Sequence, residues 1–317
     1  MRVLVAPDSF KGTFGAAEVA DAVASGIEDA GGTADRCPVA DGGEGTLAAL
    51  GGAPVAVDVH DPLGRPVRAT FGWDAGTAIV EMAAASGLGL VTPEERDAEA
   101  ASTRGTGELI AAAAARGARR IVVTVGGSAT TDGGAGAIAA IAAGGGLRGA
   151  ELVCLCDVTT PFERAAEVFA PQKGADPAAV RRLAARLDAL AATFPRDPRG
   201  VPMSGAAGGL SGGLWAAFGA RLVAGAPWVL DAVGFDARLA EADAVVTGEG
   251  RLDIQSLQGK VVGAIAERCR RAGVPLHAVV GACAASAEEL AALGLASVCE
   301  APTLEDLVRA GSEIARG

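Results

Sequence analysis

Short apolar runs alternate with amphipathic stretches along most of this chain, and that rhythm leaves few folds open. Residues 2–6 read as a strand and 8–12 as a loop. Ala16, Val19, Ala20, Val23 and Ile27 then form one face of a helix that Gly31 and Gly32 stop. The unit recurs at 105–128, where a helix closes at Gly117 and Ile121–Val125 is a near-continuous apolar strand, as in a parallel sheet covered on both faces. The C-terminal part repeats it most clearly, with strands at 244–247, 276–280 and 296–299. Between and after them come a helix over 258–272 ended by Gly273, one opened by the Ser286/Glu289 capping box and stopped by Gly294, and one capped by Thr303. The middle is less regular. Residues 53–91 hold short alternating strands with turns at 61–64 and 74–77, Asp176 and Pro177 open an amphipathic helix, and 194–202 is a loop. This pattern predicts an α/β protein. The expected arrangement is a Rossmann-like parallel-sheet domain from 1–58 and 235–317, with a second α/β domain inserted over 59–234; the segment 104–136 fits either. A length of 317 residues exceeds what one core usually supports.

Composition removes several functions. A net charge of −11 disfavours nucleic acid and anionic membrane, and eight Phe, three Trp and no Tyr leave little for base stacking. The N-terminal apolar run is too short for a signal peptide, and no strongly apolar run of ~18 residues occurs, so a soluble, cytoplasmic protein is expected. Six cysteines without C-x-x-C or metal spacing read as reduced thiols, with Cys154 and Cys156 on one face of a strand. His60 and His277, the only histidines, rule out a His-rich zinc site, and His277 sits in an apolar strand pattern. No G-x-S-x-G elbow is present.

Five glycine-rich polar segments carry the chemistry: 6–12, 39–46, 126–136, 204–214 and 247–260. Glycine lets backbone N–H groups converge on phosphate, and a following helix N-terminus adds partial positive charge. Carboxylates beside such loops suit magnesium, which takes one or two of them plus substrate phosphates. Together the segments predict a phosphate-handling site, although the Walker, dinucleotide and protein-kinase fingerprints are missing. Asp132 is a candidate proton acceptor or magnesium ligand, set against a role as N-cap of a helix over 133–143. Asp41 and Glu44 flank Gly42 and Gly43 and can hold magnesium or substrate hydroxyls, or merely cap. Asp8, Ser9 and Lys11 form the first loop; Glu249, Arg251 and Asp253 form a charged cluster that can equally be an internal ion network. Gly127, Ser128, Thr130 and Thr131 belong to the third loop as binding candidates, Arg65 reads as a turn residue, and Asp157 ends a strand. Lysine is scarce, three against 24 arginines, and Lys11, Lys173 and Lys260 each adjoin a glycine. Where space is tight the compact ammonium is not replaceable by a guanidinium, so at least two of the three are expected on phosphate or carboxylate.

The ordered motifs APDSFKG, VADGGEGT, DPLGRPV, EMAAASGLGLV, GTGELI, GGSATTDGGAG, APQKGA, GAAGGL and GEGRLDIQSLQGK resemble those of the type 1 glycerate kinases from residue 3 to about 282. The resemblance implies ATP-dependent phosphorylation of D-glycerate to 2-phosphoglycerate, with Mg2+, by a two-domain α/β enzyme whose site lies in the cleft between the domains. On that reading Asp132, Asp41 and Lys11 are catalytic, and Asp132 and Glu44 hold the metal. Partners are then small molecules, glycerate and ATP, with a homo-oligomer left open. The chain departs from the family at Thr131 and Thr160, where Asn is usual, and at Arg104, where Tyr is usual; segments near 144–153 and 161–169 are shortened. Alternatives are a kinase for another small hydroxy acid and a non-catalytic sensor of glycerate or nucleotide. Acids clustered in glycine loops favour catalysis.

Overall fold

The computed structural model describes residues 1–253 and 260–317. Its strands run in chain order as β1 (Arg2–Pro7), β2 (Thr33–Arg36), β3 (Ala53–His60), β4 (Pro66–Asp74), β5 (Thr77–Glu81) and β6 (Arg120–Thr124). They continue as β7 (Glu151–Cys156), β8 (Arg221–Ala224), β9 (Ala244–Leu252), β10 (Leu276–Cys283) and β11 (Ser297–Glu300). Two compact units emerge, one from 1–41, 48–50 and 225–317 and one from 42–47 and 51–224.

The first unit is a parallel sheet of order β11-β10-β9-β1-β2. Val3, Val5, Val246 and Val279 contribute its buried apolar face, against which Val19, Val23, Ile27 and Leu307 pack. Helices Ala16–Asp29 and Leu304–Arg316 touch backbone to backbone there: a Cβ on Gly26 would lie 1.8 Å from the Val308 carbonyl oxygen. Strand β1 has β2 on one side and β9 on the other, with β10 and β11 beyond. The chain order reverses between β1 and β9, and such a switch point opens a crevice at the strands' C-terminal ends.

The second unit holds a mixed sheet of order β3-β4-β5-β6-β7-β8, antiparallel from β3 to β5 and parallel from β5 to β8. Val80, Leu109, Ile121, Val123, Cys154 and Leu210 lie in its core. The alternation of polar and apolar residues along 53–60 reflects this antiparallel edge, where one face stays wet.

The unit boundaries differ from the sequence expectation. Residues 53–58, expected in the first domain, pair along β4 from Ala53↔Trp73 onward, so hydrogen bonding ties them to the second sheet. Segment 104–136 falls in the second unit because β6 lies between β5 and β7, and helix Gly225–Ala232 groups with the first. Strand β9 runs on past residue 247 through Leu252, because β10 continues beside it to pair Cys283 with Leu252. The helix expected over 258–272 is described as Val261–Ala272 after Lys260; residues 258 and 259 lie outside the described residues. Asp176, Ser286 and Thr303 accept backbone N–H bonds as helix caps. Among the described residues no helix is long and apolar enough to cross a membrane, and all six cysteines are free thiols.

Candidate functional site

At the switch point of the first unit, the C-terminal ends of β9 and β10 and the segments after β1, β2, β9 and β11 line a cavity of about 380 Å³. Asp8, directly after β1, is 6% exposed. Its backbone N–H donates to the Gly248 carbonyl at 2.8 Å, and the Ser9 N–H donates to its Oδ1 at 2.6 Å. Asp41 is also buried and accepts from Lys11 Nζ at 3.1 Å. Burial pushes the Asp8 carboxyl up to about 7; the neighbouring Asp41 charge adds to this and Glu249 adds less, against the Ser9 N–H and Lys11. Arg251, Asp253 and Lys260 line the same cavity, with Phe10, Thr13, Gly281, Ala282 and Pro302. A side chain at Gly281 would strike the Gly250 carbonyl oxygen 2.6 Å away, so glycine is what lets β9 and β10 converge at the floor.

In the second unit the loop after β6 is held from several directions. Lys173 is 1% exposed and its Nζ donates to the Thr130 carbonyl at 2.5 Å; Arg186 Nη2 donates to the next carbonyl, that of Thr131, at 2.8 Å. Burial pulls the Lys173 ammonium down to about 7, against the opposing pull of Asp132. The Thr130 and Thr131 hydroxyls are buried without a hydrogen-bond partner among the described residues. Asp132 Oδ2 accepts from the Thr103 N–H (2.9 Å), Thr103 Oγ1 (2.8 Å) and the Gly136 N–H (3.2 Å), and Oδ1 accepts from the Gly134 N–H (3.0 Å). The capping role therefore occupies this carboxylate: it ties the start of helix Ala135–Ala143 to that of Arg104–Ala115. These bonds give Asp132 a structural role, while Oδ1, which among the described residues accepts only from Gly134, keeps a lone pair for the proton-acceptor or magnesium role expected from sequence. The 204–214 segment closes the other side. Ala207, Gly208 and Gly209 all have left-handed backbone, and Gly208 accepts from the Gly133 N–H at 3.0 Å. A Cβ on Gly208 would lie 2.1 Å from the Thr130 oxygen.

The 42–47 turn lies in the same unit. Gly42 and Gly43 are buried and Glu44 is exposed. Thr46 Oγ1 donates to the Gly43 carbonyl at 2.8 Å, and the Leu47 N–H donates to Glu81 Oε1 at 2.9 Å. Burial raises the Glu81 carboxyl, countered by N–H groups of Leu47, Gly45 and Thr46 and reinforced by Glu44. Gly126 faces this turn so closely that a Cβ would lie 2.9 Å from Gly43 Cα; Gly127 is exposed and Ser128 buried. Arg65 joins Asp61, Glu95 and the Leu90 carbonyl, the behaviour of a turn residue.

The fold thus gathers Asp8, Ser9, Lys11, Asp41, Glu249, Arg251, Asp253 and Lys260 in one crevice. Gly42, Gly43, Glu44, Gly127, Ser128, Thr130, Thr131, Asp132 and Lys173 belong to the second unit. Of the three lysines, Lys11 and Lys260 line the cavity while Lys173 is enclosed under a loop. Sequence reasoning missed Glu81 and Arg186, which hold glycine loops in place. The signal for Glu81 was its position directly at the end of an apolar strand. Among the described residues no three His, Cys, Asp or Glu side chains converge to hold a metal. Magnesium fits only as an ion that phosphates and one or two carboxylates share.

A model of the "Glycerate kinase family" matches residues 3–145 and 142–313. The chain is 36% identical to a glycerate kinase of Haemophilus influenzae, over 89% of this chain and 86% of that protein. It is 37% identical to the glycerate 2-kinase of Escherichia coli, over 89% and 85%. A crystal structure described as a glycerate kinase 2 from Salmonella typhimurium LT2 superposes with a TM-score of 0.87 at 35% identity, covering 100% of this chain and 97% of that one.

Proposed function

The chain belongs to the glycerate kinase family, and we propose that it transfers the γ-phosphoryl group of ATP to D-glycerate, giving 2-phosphoglycerate. The observation that carries this reading is the crevice at the β1/β9 switch point, where cationic and carboxylate side chains converge. Phosphoryl transfer asks little covalent chemistry of a protein; it needs alignment, charge neutralisation and a place for the alcohol proton. Lys11, Arg251 and Lys260 supply positive charge, and Asp8, Asp41 and Glu249 are the acids able to meet hydroxyl groups. In the second unit, the glycine-rich turns after Asp41 and after β6 are the segments suited to a triphosphate, through backbone N–H groups other than those of Gly45, Thr46, Leu47, Ala129, Gly133 and Gly134, which have acceptors within the fold. Magnesium, when bound, neutralises β- and γ-phosphate charge, and exposed Glu44 beside Glu81 is the carboxylate suited to share it. The free thiols fit a reducing compartment, the cytoplasm.

The test is ADP release with Mg-ATP and D-glycerate, set beside glycolate, lactate and tartronate, with the phosphorylated carbon identified by phosphorus NMR. Turnover restricted to another acid would replace glycerate in this reading, and no turnover with any hydroxy acid would end it.

A further inference from the structure

We infer that the crevice of the first unit is the acceptor subsite, shaped for a small hydroxy acid and not for the nucleotide, and that Asp8 is the catalytic residue that takes the acceptor hydroxyl's proton. This rests on the phosphoryl-transfer reading above.

The cavity's chemistry separates the two substrates. A purine needs a flat apolar slot with an exposed ring or aliphatic face. Among the described residues the apolar lining is Phe10, Ala282 and Pro302, and Phe10 is only 2% exposed, its ring spent in the core against β1 and its helices. Among the others, Asp8, Lys11, Asp41, Glu249, Arg251, Asp253 and Lys260 are ionisable and of mixed sign. A triphosphate brings several negative charges to a pocket that already buries Asp8, Asp41 and Glu249. A hydroxy acid brings one carboxylate, for Lys11, Arg251 or Lys260, and hydroxyl protons, for the acids. A volume of about 380 Å³ holds such a molecule with room for the transferring phosphoryl group.

Within the pocket, Asp8 is the acid placed to act. Asp41 is engaged with Lys11 at 3.1 Å, and in the second unit the Asp132 carboxylate holds four donors. Asp8 sits where β1 ends, fixed through its own N–H on Gly248 and through Ser9 on Oδ1, so its carboxylate is rigidly presented. Burial and the facing acids Asp41 and Glu249 raise its proton affinity, while Lys11 opposes them, which suits a group that must accept a proton near neutrality. In the step, the hydroxyl proton passes to the Asp8 carboxylate as the hydroxyl oxygen bonds to the γ-phosphorus. The bond from that phosphorus to the bridging oxygen breaks, and ADP leaves with the electron pair.

Calorimetric titration with D-glycerate and, separately, with ADP distinguishes the subsites. Lys11→Met, at a mostly exposed side chain, should weaken glycerate binding ~10-fold and ADP binding by less than about twofold. Asp8→Asn should leave glycerate affinity within about threefold, lower kcat at least ~10²-fold, and remove the acidic limb of the kcat/KM pH profile. Weakening of ADP in place of glycerate by Lys11→Met, or near-parental kcat in Asp8→Asn, would overturn the inference. Should Asp8→Asn not fold, the Lys11→Met titrations and the parent's own binding decide the subsite. The proton role then passes to Asp8→Glu, for which kcat must fall ~10-fold or more with its pH limb displaced. If the parent chain turns over no hydroxy acid, the kinase reading fails; if the parent works and the variants behave like it, only this inference fails.

Discussion

Replacing Asp8 by asparagine should stabilise the protein at neutral and alkaline pH while removing its activity. The reason lies in where the carboxyl sits. An aspartate in an unfolded chain ionises near its ordinary value of 3.8, whereas burial and the facing acids Asp41 and Glu249 hold Asp8 up to about 7, against Lys11 and the Ser9 N–H. The folded state therefore binds a proton that the unfolded state has lost, between about pH 4 and pH 7. Over that window stability falls as pH rises, by at most about 1.4 kcal/mol per pH unit, and the fall ends above pH 7. Below pH 4 the penalty is absent. Asparagine is neutral throughout and its Oδ1 still accepts from Ser9, so the variant escapes the penalty and keeps the local bond. Denaturant unfolding of parent and variant from pH 4 to pH 8 should show a gap that opens with pH and levels off above 7. Lys173, pulled down to about 7, contributes its own slope above pH 7, but parent and variant share it. A gap that is flat with pH, or a variant less stable than the parent at pH 8, would refute the reasoning.

The other expectations are local. Lys173→Arg places a larger planar head in a site that is 1% exposed, and should cost ~1–3 kcal/mol of stability with at least a ~10-fold fall in kcat/KM, read by melting and steady-state kinetics. Asp132→Asn keeps one accepting oxygen where the carboxylate has two, so one group of N–H or O–H donors loses its partner; a melting loss equivalent to ~1–3 kcal/mol is expected, and an unchanged melting temperature would contradict the capping role. Gly208→Ala combines a φ of +64° with a Cβ placed 2.1 Å from the Thr130 oxygen, and should reduce soluble expression or abolish the melting transition. Exhaustive EDTA treatment should abolish turnover and added Mg2+ restore it, since Lys11, Arg251 and Lys260 share the crevice with Asp8, Asp41, Glu249 and Asp253 and cannot neutralise the transferring charge alone.

The local rules written in the sequence marked many of the elements, though not β8 or the helices between residues 206 and 239. Apolar period marked β1 and the helix from Ala16, and side-chain caps marked the starts at Asp176, Ser286 and Thr303, because both signals act over a few neighbouring residues. The crevice acids and lysines were also legible, since a polar glycine-rich segment after an apolar strand falls at the strand's C-terminal end in a parallel sheet. What tertiary structure alone decided was partnership. Nothing in the residues 53–58 says that they pair with β4, and a ladder between distant segments fixes that unit boundary. Lys11 and Lys173 each adjoin glycine and look alike in sequence. One reaches Asp41 in a cavity and the other lies sealed against the Thr130 carbonyl, because what surrounds a side chain is set by segments far away in the chain. Asp132 carries both a catalytic and a capping reading in the sequence, and only the fold brings Thr103, Gly134 and Gly136 to its oxygens. Sequence determines which groups a protein has and which local conformations they favour; burial and hydrogen-bond partners, which decide what a carboxylate or an ammonium can do, come from contacts that only the folded chain makes.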